Sequence, residues 1–257
     1  MIVTAKEDFV NLILSISMED PFACRIISQY YSYDSSLAFV DYWTVIDDAT
    51  GNITGAISRC GTNFILFITQ NTDLDELSSF MRIAGASSVI CSGDYELDLF
   101  GSKCIKGVIL KKSAPFEILD NTIDIVTPDI KSAYDLIAKC ADKNFVPPEF
   151  DDFYVDVNHK LRHGTMRICG VAEDDKLVAV AMTVAESTDG AVLGAVACHP
   201  DYRKNGYGSS VVKYITNLLI SKNKTVYLHR AKNANRSFYN TLGFEETGKW
   251  KEYYLER

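Results

Sequence analysis

The stretch Val196-Ala197-Cys198-His199-Pro200-Asp201-Tyr202-Arg203-Lys204-Asn205-Gly206-Tyr207-Gly208-Ser209 decides how this chain is read. Val196 to Cys198 close an apolar run that reads as a strand, and R-x-x-G-x-G follows at Arg203 to Gly208. Where the glycines end, apolar residues at Val211, Val212, Ile215, Leu218 and Leu219 predict a helix from about Gly208 to Ser221. Glycines at such a turn permit backbone conformations barred to larger residues and let an anion approach the main chain. The helix start adds unpaired N–H groups and a partial positive charge. The expected occupant is a pyrophosphate. Alone, R-x-x-G-x-G has many chance matches; the strand before it and the helix after it give it weight.

Charge around the stretch agrees. The net charge is −8, but Tyr202 to Phe244 contains Arg203, Lys204, Lys213, Lys222, Lys224, Arg230, Lys232 and Arg236 and no carboxylate, which suits a polyanionic ligand. Residues 1–120 carry 8 Lys+Arg against 16 Asp+Glu, and residues 121–257 carry 18 of each. Upstream, Ile168 to Ala172, Leu177 to Ala185 and Ala191 to Cys198 are apolar runs joined by Glu173-Asp174-Asp175-Lys176 and Ser187-Thr188-Asp189-Gly190, predicting an antiparallel meander. Before them, Thr127-Pro128-Asp129 reads as an N-cap at Thr127 with proline at the first helical position, opening a helix with Ile130, Ala133, Tyr134 and Ile137 on one face. Downstream come a strand at Thr225 to His229, a helix near Asn235 to Leu242 and an alternating segment from Thr247 to Leu255.

Together with Asn235-Arg236-Ser237-Phe238-Tyr239-Asn240-Thr241-Leu242-Gly243-Phe244, the opening stretch resembles the GNAT superfamily of acyl-CoA-dependent N-acyltransferases. The first motif is similar to the family's V-x-P-x-x-R-x-x-G-x-G, with Cys198 in place of the valine; the second matches its F-Y-x-x-L-G-F ending. The resemblance covers about the last 130 residues. It implies an α/β (α+β) GNAT fold with a mixed, mostly antiparallel sheet, and an acetyl transfer from acetyl-CoA, used as co-substrate without a metal, to a primary amine. It further implies that the backbone of Arg203, Lys204, Asn205, Gly206, Tyr207, Gly208 and Ser209 holds the pyrophosphate. Val196, Ala197 and Cys198 would lie along the pantetheine arm, and Tyr239 would sit close to the CoA sulfur. Many members have asparagine seven residues before that tyrosine; here Lys232 stands there, so Asn233 and Asn235 are the substitutes considered. Some relatives use a glutamate base on strand five, where this chain has Tyr227. The base is therefore unassigned, with Glu186, His163 and His199 as candidates.

A joint near Lys111 to Asp124 predicts two domains: residues 1–120, a smaller α/β domain, and residues 121–257, the catalytic one. In the first, Asp20-Pro21 opens a helix toward Tyr33, Thr50-Gly51-Asn52 turns a hairpin within Leu37 to Ile68, and Asp73 to Ala84 is a helix ended by Gly85. It lacks both motifs; a degenerate GNAT-like domain on the substrate side, with no CoA of its own, is the expectation. Seven scattered cysteines without a C-x-x-C pair fit reduced core thiols. Cys198 reads as a core residue and not as a nucleophile, because reactive cysteines sit in electropositive, partly exposed places. The N-terminus does not resemble a signal peptide, and no apolar run approaches the ~18 residues of a membrane span. A cytoplasmic enzyme is expected, with a small-molecule or peptide amine as partner, neither nucleic acid nor membrane, and a homodimer as an open alternative to a monomer. Other functional readings are an acyl-CoA-binding sensor without catalysis and an aminoacyl or long-chain acyl transferase of the tandem-GNAT type. The acidic first half counts against an aminoacyl-tRNA donor.

Overall fold

The computed structural model describes residues 1–17, 19–117, 123–141, 146–232 and 234–256. The chain forms two compact units: Met1–Ile109 together with Glu246–Arg257, and Leu110–Glu245. The sequence placed the joint at 120/121 and the last residues with the second domain; in the structure Glu246–Arg257 pack with the first unit.

In the first unit the elements are β1 (Ile2–Thr4), α1 (Phe9–Ile16), α2 (Pro21–Ser32), β2 (Val40–Ile46), β3 (Ile53–Cys60), β4 (Asn63–Ile68), α3 (Leu74–Ile83), β5 (Ser88–Ser92) and most of β6 (Lys103–Lys112). Asp20 caps α2 as its sequence demands: the carboxylate accepts from the Phe22 and Ala23 N–H groups at 2.7 and 2.9 Å, with Pro21 at the first helical position. The β2–β3 hairpin turns with Gly51 at φ +71°, and Gly85, φ +71°, ends α3. β1, β2, β3 and β4 pair in order, antiparallel throughout, and β4 then pairs with β5 in parallel.

The second unit contains α4 (Ile130–Lys139), α5 (Phe150–Arg162), β7 (Ile168–Glu173), β8 (Lys176–Glu186), β9 (Gly190–Cys198), α6 (Tyr207–Ile220), β10 (Thr225–Ala231) and α7 (Arg236–Thr241). Its sheet runs β10-β9-β8-β7, with β7, β8 and β9 antiparallel and β9–β10 parallel. The meander and α6 fall where the sequence put them. The cap of α4 does not: Asp129 is the N-cap, and its carboxylate accepts from the Ser132 N–H at 2.9 Å and hydroxyl at 2.6 Å. A carboxylate that takes two donors outcompetes Thr127, so the helix starts at Ile130. Ala133, Leu136 and Ile137 of α4 pack with Ile168, Val180, Met182 and Ala197 into one core.

The two units repeat one order of elements, two helices, a three-stranded meander, a helix and a parallel strand. In the first unit the last partner is β11 (Glu245–Tyr254), antiparallel to β5 from Trp250↔Ser92 to Tyr254↔Ser88.

Candidate functional site

β9 is irregular where the motif begins. The pairing Val180↔Ala197 is followed by Met182↔Gly194, so Ala195 and Val196 oppose the single Ala181, and Ala195 takes φ +47°. A left-handed non-glycine costs roughly 1 kcal/mol and marks a bulge held in place by its surroundings. On the other side of β9 the register with β10 runs from Thr225↔Gly190 to Leu228↔Leu193, while both strands continue. Gly194, Ala195, Val196 and Cys198 are half-buried along that stretch, and Ala197 turns into the α4 core. An edge that leaves the ladder keeps N–H and C=O groups able to pair with an extended amide chain. His229, half-buried, is the first residue of β10 past the register.

β9 leads through a 3-10 turn, Pro200–Tyr202, into Arg203, whose Nε donates to the Cys198 carbonyl at 3.2 Å. Lys204 at φ +69° and Gly206 at φ +86° bend the loop, and α6 begins at Tyr207 with Gly206 as its N-cap. No side chain caps this helix and its first turn holds no acid. Its leading N–H groups therefore keep their partial positive charge for a ligand. Arg203, Lys204, Asn205 and Gly206 are exposed, and Tyr207, Gly208 and Ser209 are half-buried. These are the features a phosphate group needs, so the residues present fit CoA. A cavity of about 420 Å³ lies on the β7 side of the loop. Asp124, Glu173, Asn205 and Tyr207 are among its lining, and its two carboxylates suit it poorly to phosphate.

Tyr239, on α7, is buried, edge-on to Phe238 at 5.0 Å and to Phe244 at 5.8 Å. Burial pushes its phenol up to about 12, and Arg230 pulls it partly back. The Arg230 guanidinium bonds the carbonyls of Ala231, Lys232 and Ala234, which shapes the turn before α7. Asn235 caps α7 at φ +50° without a side-chain bond, and Asn233 lies outside the described residues. The Cys198 thiol is raised, first by burial and then by Cys140, with Arg203 opposing, which keeps it protonated.

Of the base candidates, Glu186 is fully buried between Thr183, Arg167 and Lys224, with the Lys224 Nζ at 3.0 Å and the Arg167 Nε at 3.1 Å. It ends β8 opposite Ala191, at the far end of the ladder from the Ala179↔Cys198 pair, and its oxygens are committed to that network. His163 ends α5, its Nδ1 2.9 Å from the His159 carbonyl oxygen. Tyr227 is buried and sits within the β9–β10 register opposite Val192, so it does not face the opened edge. Sequence reasoning did not single out His229, because the point where two strands part leaves no mark in either strand's composition. Among the described residues no group of three or more His, Cys, Asp or Glu could hold a metal.

Residues 169–255 match the family model FR47, described as FR47-like protein. Over that span the chain is similar to a GNAT-like family model. No curated protein matches it. Among solved structures, a tandem GNAT protein from the clavulanic acid biosynthesis pathway aligns with a TM-score of 0.61 at 11% identity, over 100% of this chain and 98% of that one. A GNAT-family acetyltransferase from Colwellia psychrerythraea aligns at 0.54 and 12% identity, over 100% of both chains. A Drosophila protein aligns at 0.64 and 11%, over 99% of this chain and 98% of that one. At these identities the likeness is one of fold. No helix among the described residues is long and apolar enough to cross a membrane.

Proposed function

We propose that the GNAT unit is an N-acetyltransferase that moves an acetyl group from acetyl-CoA to a primary amine by direct attack. The observation that carries this reading is the uncapped N-terminus of α6 behind Gly206, at the end of a strand that has parted from its neighbour. In this reading the loop Arg203–Ser209 holds the pyrophosphate by main-chain N–H groups. The edge Val196–Cys198 pairs with the pantetheine amides, and Pro200, having no N–H to donate, suits the point where that pairing ends. The amine nitrogen forms a bond to the thioester carbonyl carbon, the carbon–sulfur bond breaks, the ammonium loses a proton and the departing thiolate gains one.

A lysine-like amine with pKa near 10.4 is about 3.4 units from neutrality at pH 7, so deprotonating it costs roughly 4 to 5 kcal/mol, whereas an α-amine near 7.8 costs only about 1. An acceptor of the second kind needs almost no base from the protein, which agrees with Glu186 being held in an ion-pair network. Calorimetry with CoA tests the donor half: one site per chain supports it, and no binding at millimolar ligand ends it. Acetyl-CoA turnover with a panel of primary amines then separates an enzyme from an acyl-CoA sensor.

A further inference from the structure

One buried titratable side chain bears on the loop without belonging to it. His199 is 1% exposed. Its N–H donates to the Val178 carbonyl at 2.8 Å, which extends the β8–β9 ladder by one residue. Its Nδ1 accepts from the Asp201 backbone N–H at 3.3 Å and so caps the turn Pro200–Tyr202. The Tyr202 ring packs edge-on against the imidazole at 5.4 Å. A ring nitrogen accepts only while it carries no proton, so this cap demands the neutral tautomer with its hydrogen on Nε2. Nε2 is buried and meets no hydrogen-bond partner among the described residues.

The charges that face the ring come from α4, β8, the turn Pro200–Tyr202 and the loop after it. Lys139 at the end of α4, Lys176 at the start of β8 and Arg203 in the loop oppose a second proton. The Asp201 carboxylate, 3.8 Å from Nδ1 and largely exposed, favours it. Burial acts first and in the same sense as the cations, and the balance lowers the imidazole from its ordinary value.

We infer that His199 is a positioning residue of the phosphate loop: its unprotonated Nδ1 holds the Asp201 N–H, sets the turn from which Arg203 to Gly208 depart, and thereby makes acyl-CoA affinity depend on the ring staying neutral. The inference rests on the reading of that loop as the acyl-CoA phosphate site. The side chain itself lies on the α4 side of the sheet: Ala197 packs into the α4 core, Cys198 turns toward Gly208, and alternation returns His199 to the first side. It therefore acts through the backbone. A base whose folded pKa is depressed destabilises its structure as pH falls through the ordinary imidazole range, so the loss of affinity belongs on the acid side of about pH 6.5.

The test is CoA binding to the full chain by calorimetry, from about pH 8 to about pH 5.5, for the parent, His199→Leu and His199→Asn, with nitrogen NMR of the ring tautomer in the parent. At the alkaline end His199→Leu is expected to bind roughly tenfold more weakly, and His199→Asn, whose amide oxygen can take the same N–H, to recover most of that loss. Between the two pH values the ratio of parent to His199→Asn affinity should fall by roughly threefold or more. The 3′-phosphate of CoA, which titrates near pH 6, affects both proteins alike and cancels in that ratio. Parental affinity in His199→Leu, a ratio constant with pH, or a proton on Nδ1 at the alkaline end overturns the inference. If His199→Leu does not fold, the ratio and the tautomer still decide. If the parent fails to bind CoA at all, the phosphate-site reading falls separately, and the tautomer measurement still judges the cap.

Discussion

Gly206 and Gly208 are both motif glycines, yet their physical roles differ. At φ +86° Gly206 occupies a conformation that strains any other residue by roughly 1 kcal/mol, whatever the space around it. A Cβ added at Gly208 would meet Cys198 Cβ at 3.7 Å and Phe238 Cζ at 3.9 Å, ordinary contact distances, so the protein alone tolerates it. Gly208→Ala should therefore keep the parental melting temperature, and a tenfold or greater loss of CoA affinity in calorimetry would report the close approach of the ligand itself. Unchanged affinity would mean that phosphate does not reach this backbone. Gly206→Asp adds a carboxylate as well as strain and should abolish binding; a protein that still bound CoA as tightly as the parent would remove the cradle. For Tyr239 the phenol near 12 carries the argument. Full proton transfer to a thiolate whose conjugate acid lies near 8.5 runs uphill by about 5 kcal/mol, so a hydrogen bond to the leaving sulfur is the stronger role. Tyr239→Phe keeps the ring that packs on Phe238 and Phe244, and kcat should fall by about tenfold with the acetyl-CoA KM little changed. An unchanged kcat across the accessible pH range would take the tyrosine out of the reaction.

At the scale of elements, the chain holds the same strand-helix-strand unit twice and equips only one copy for an anion. α6 starts at a bare glycine, whereas α3 starts at Asp73, whose carboxylate accepts from the Asp75 and Glu76 N–H groups at 3.0 and 2.9 Å, with Asp75 and Glu76 adding negative charge in the first turn. A phosphate there would displace one anion and face two more. The β4–β5 register also ends early, at Ile65↔Ile90, but beyond it Leu66, Ile68 and Cys91 are buried in one cluster with Leu97 and Leu99. Past the register, β4 and β5 thus continue into the apolar core of the first unit, whereas Gly194, Ala195 and Val196 of β9 stay half-buried. CoA calorimetry should accordingly give one site per chain, and two sites would show that the first unit has a working cradle after all. This contrast was half legible in the sequence: R-x-x-G-x-G and the carboxylate-free stretch pointed to α6, whereas the helix Asp73 to Ala84 was read without its carboxylate cap. The burial of Leu97 and Leu99 was not legible, since they sit in a short irregular segment. α5, by contrast, was legible and was not read: Phe150, Phe153, Tyr154, Val157 and Leu161 recur at helical spacing, although only Val157 of its residues is buried. β6 alternates weakly, with lysines at both ends, and only its last two residues fall within the joint marked at Lys111 to Asp124.

At the scale of the whole molecule, the order along the chain and the order in space diverge at the last strand. β11 pairs with β5, more than 150 residues earlier, and places Tyr253 in the first unit's core, where its hydroxyl accepts from the Leu97 N–H at 3.3 Å. Sequence reasoning assigned this segment to the catalytic half because it follows the F-Y-x-x-L-G-F motif without a break; alternation shows that a strand exists but not which edge it joins. The first unit thus cannot complete its core until the rest of the chain has been made, and such distant pairing is a slow step in folding. Truncating Tyr253 separates the two units experimentally. Tyr253→Ala removes a buried aromatic and its hydrogen bond, a loss of about 3 to 5 kcal/mol, and that loss should appear as faster amide exchange in β4 and β5. Saturating CoA acts elsewhere: at about a hundred times Kd it stabilises the unit that binds it by about 2.7 kcal/mol, and protection should rise first at the end of β9, in the loop and in the first turn of α6. Hydrogen exchange followed by peptide mapping reads both effects in one experiment. If Tyr253→Ala left β4 and β5 as protected as in the parent, the last strand would not be closing the first unit. If CoA protected the first turn of α3 to the same extent as that of α6, the carboxylate cap at Asp73 would not be excluding the ligand, and the division of labour between the two copies would have to be given up.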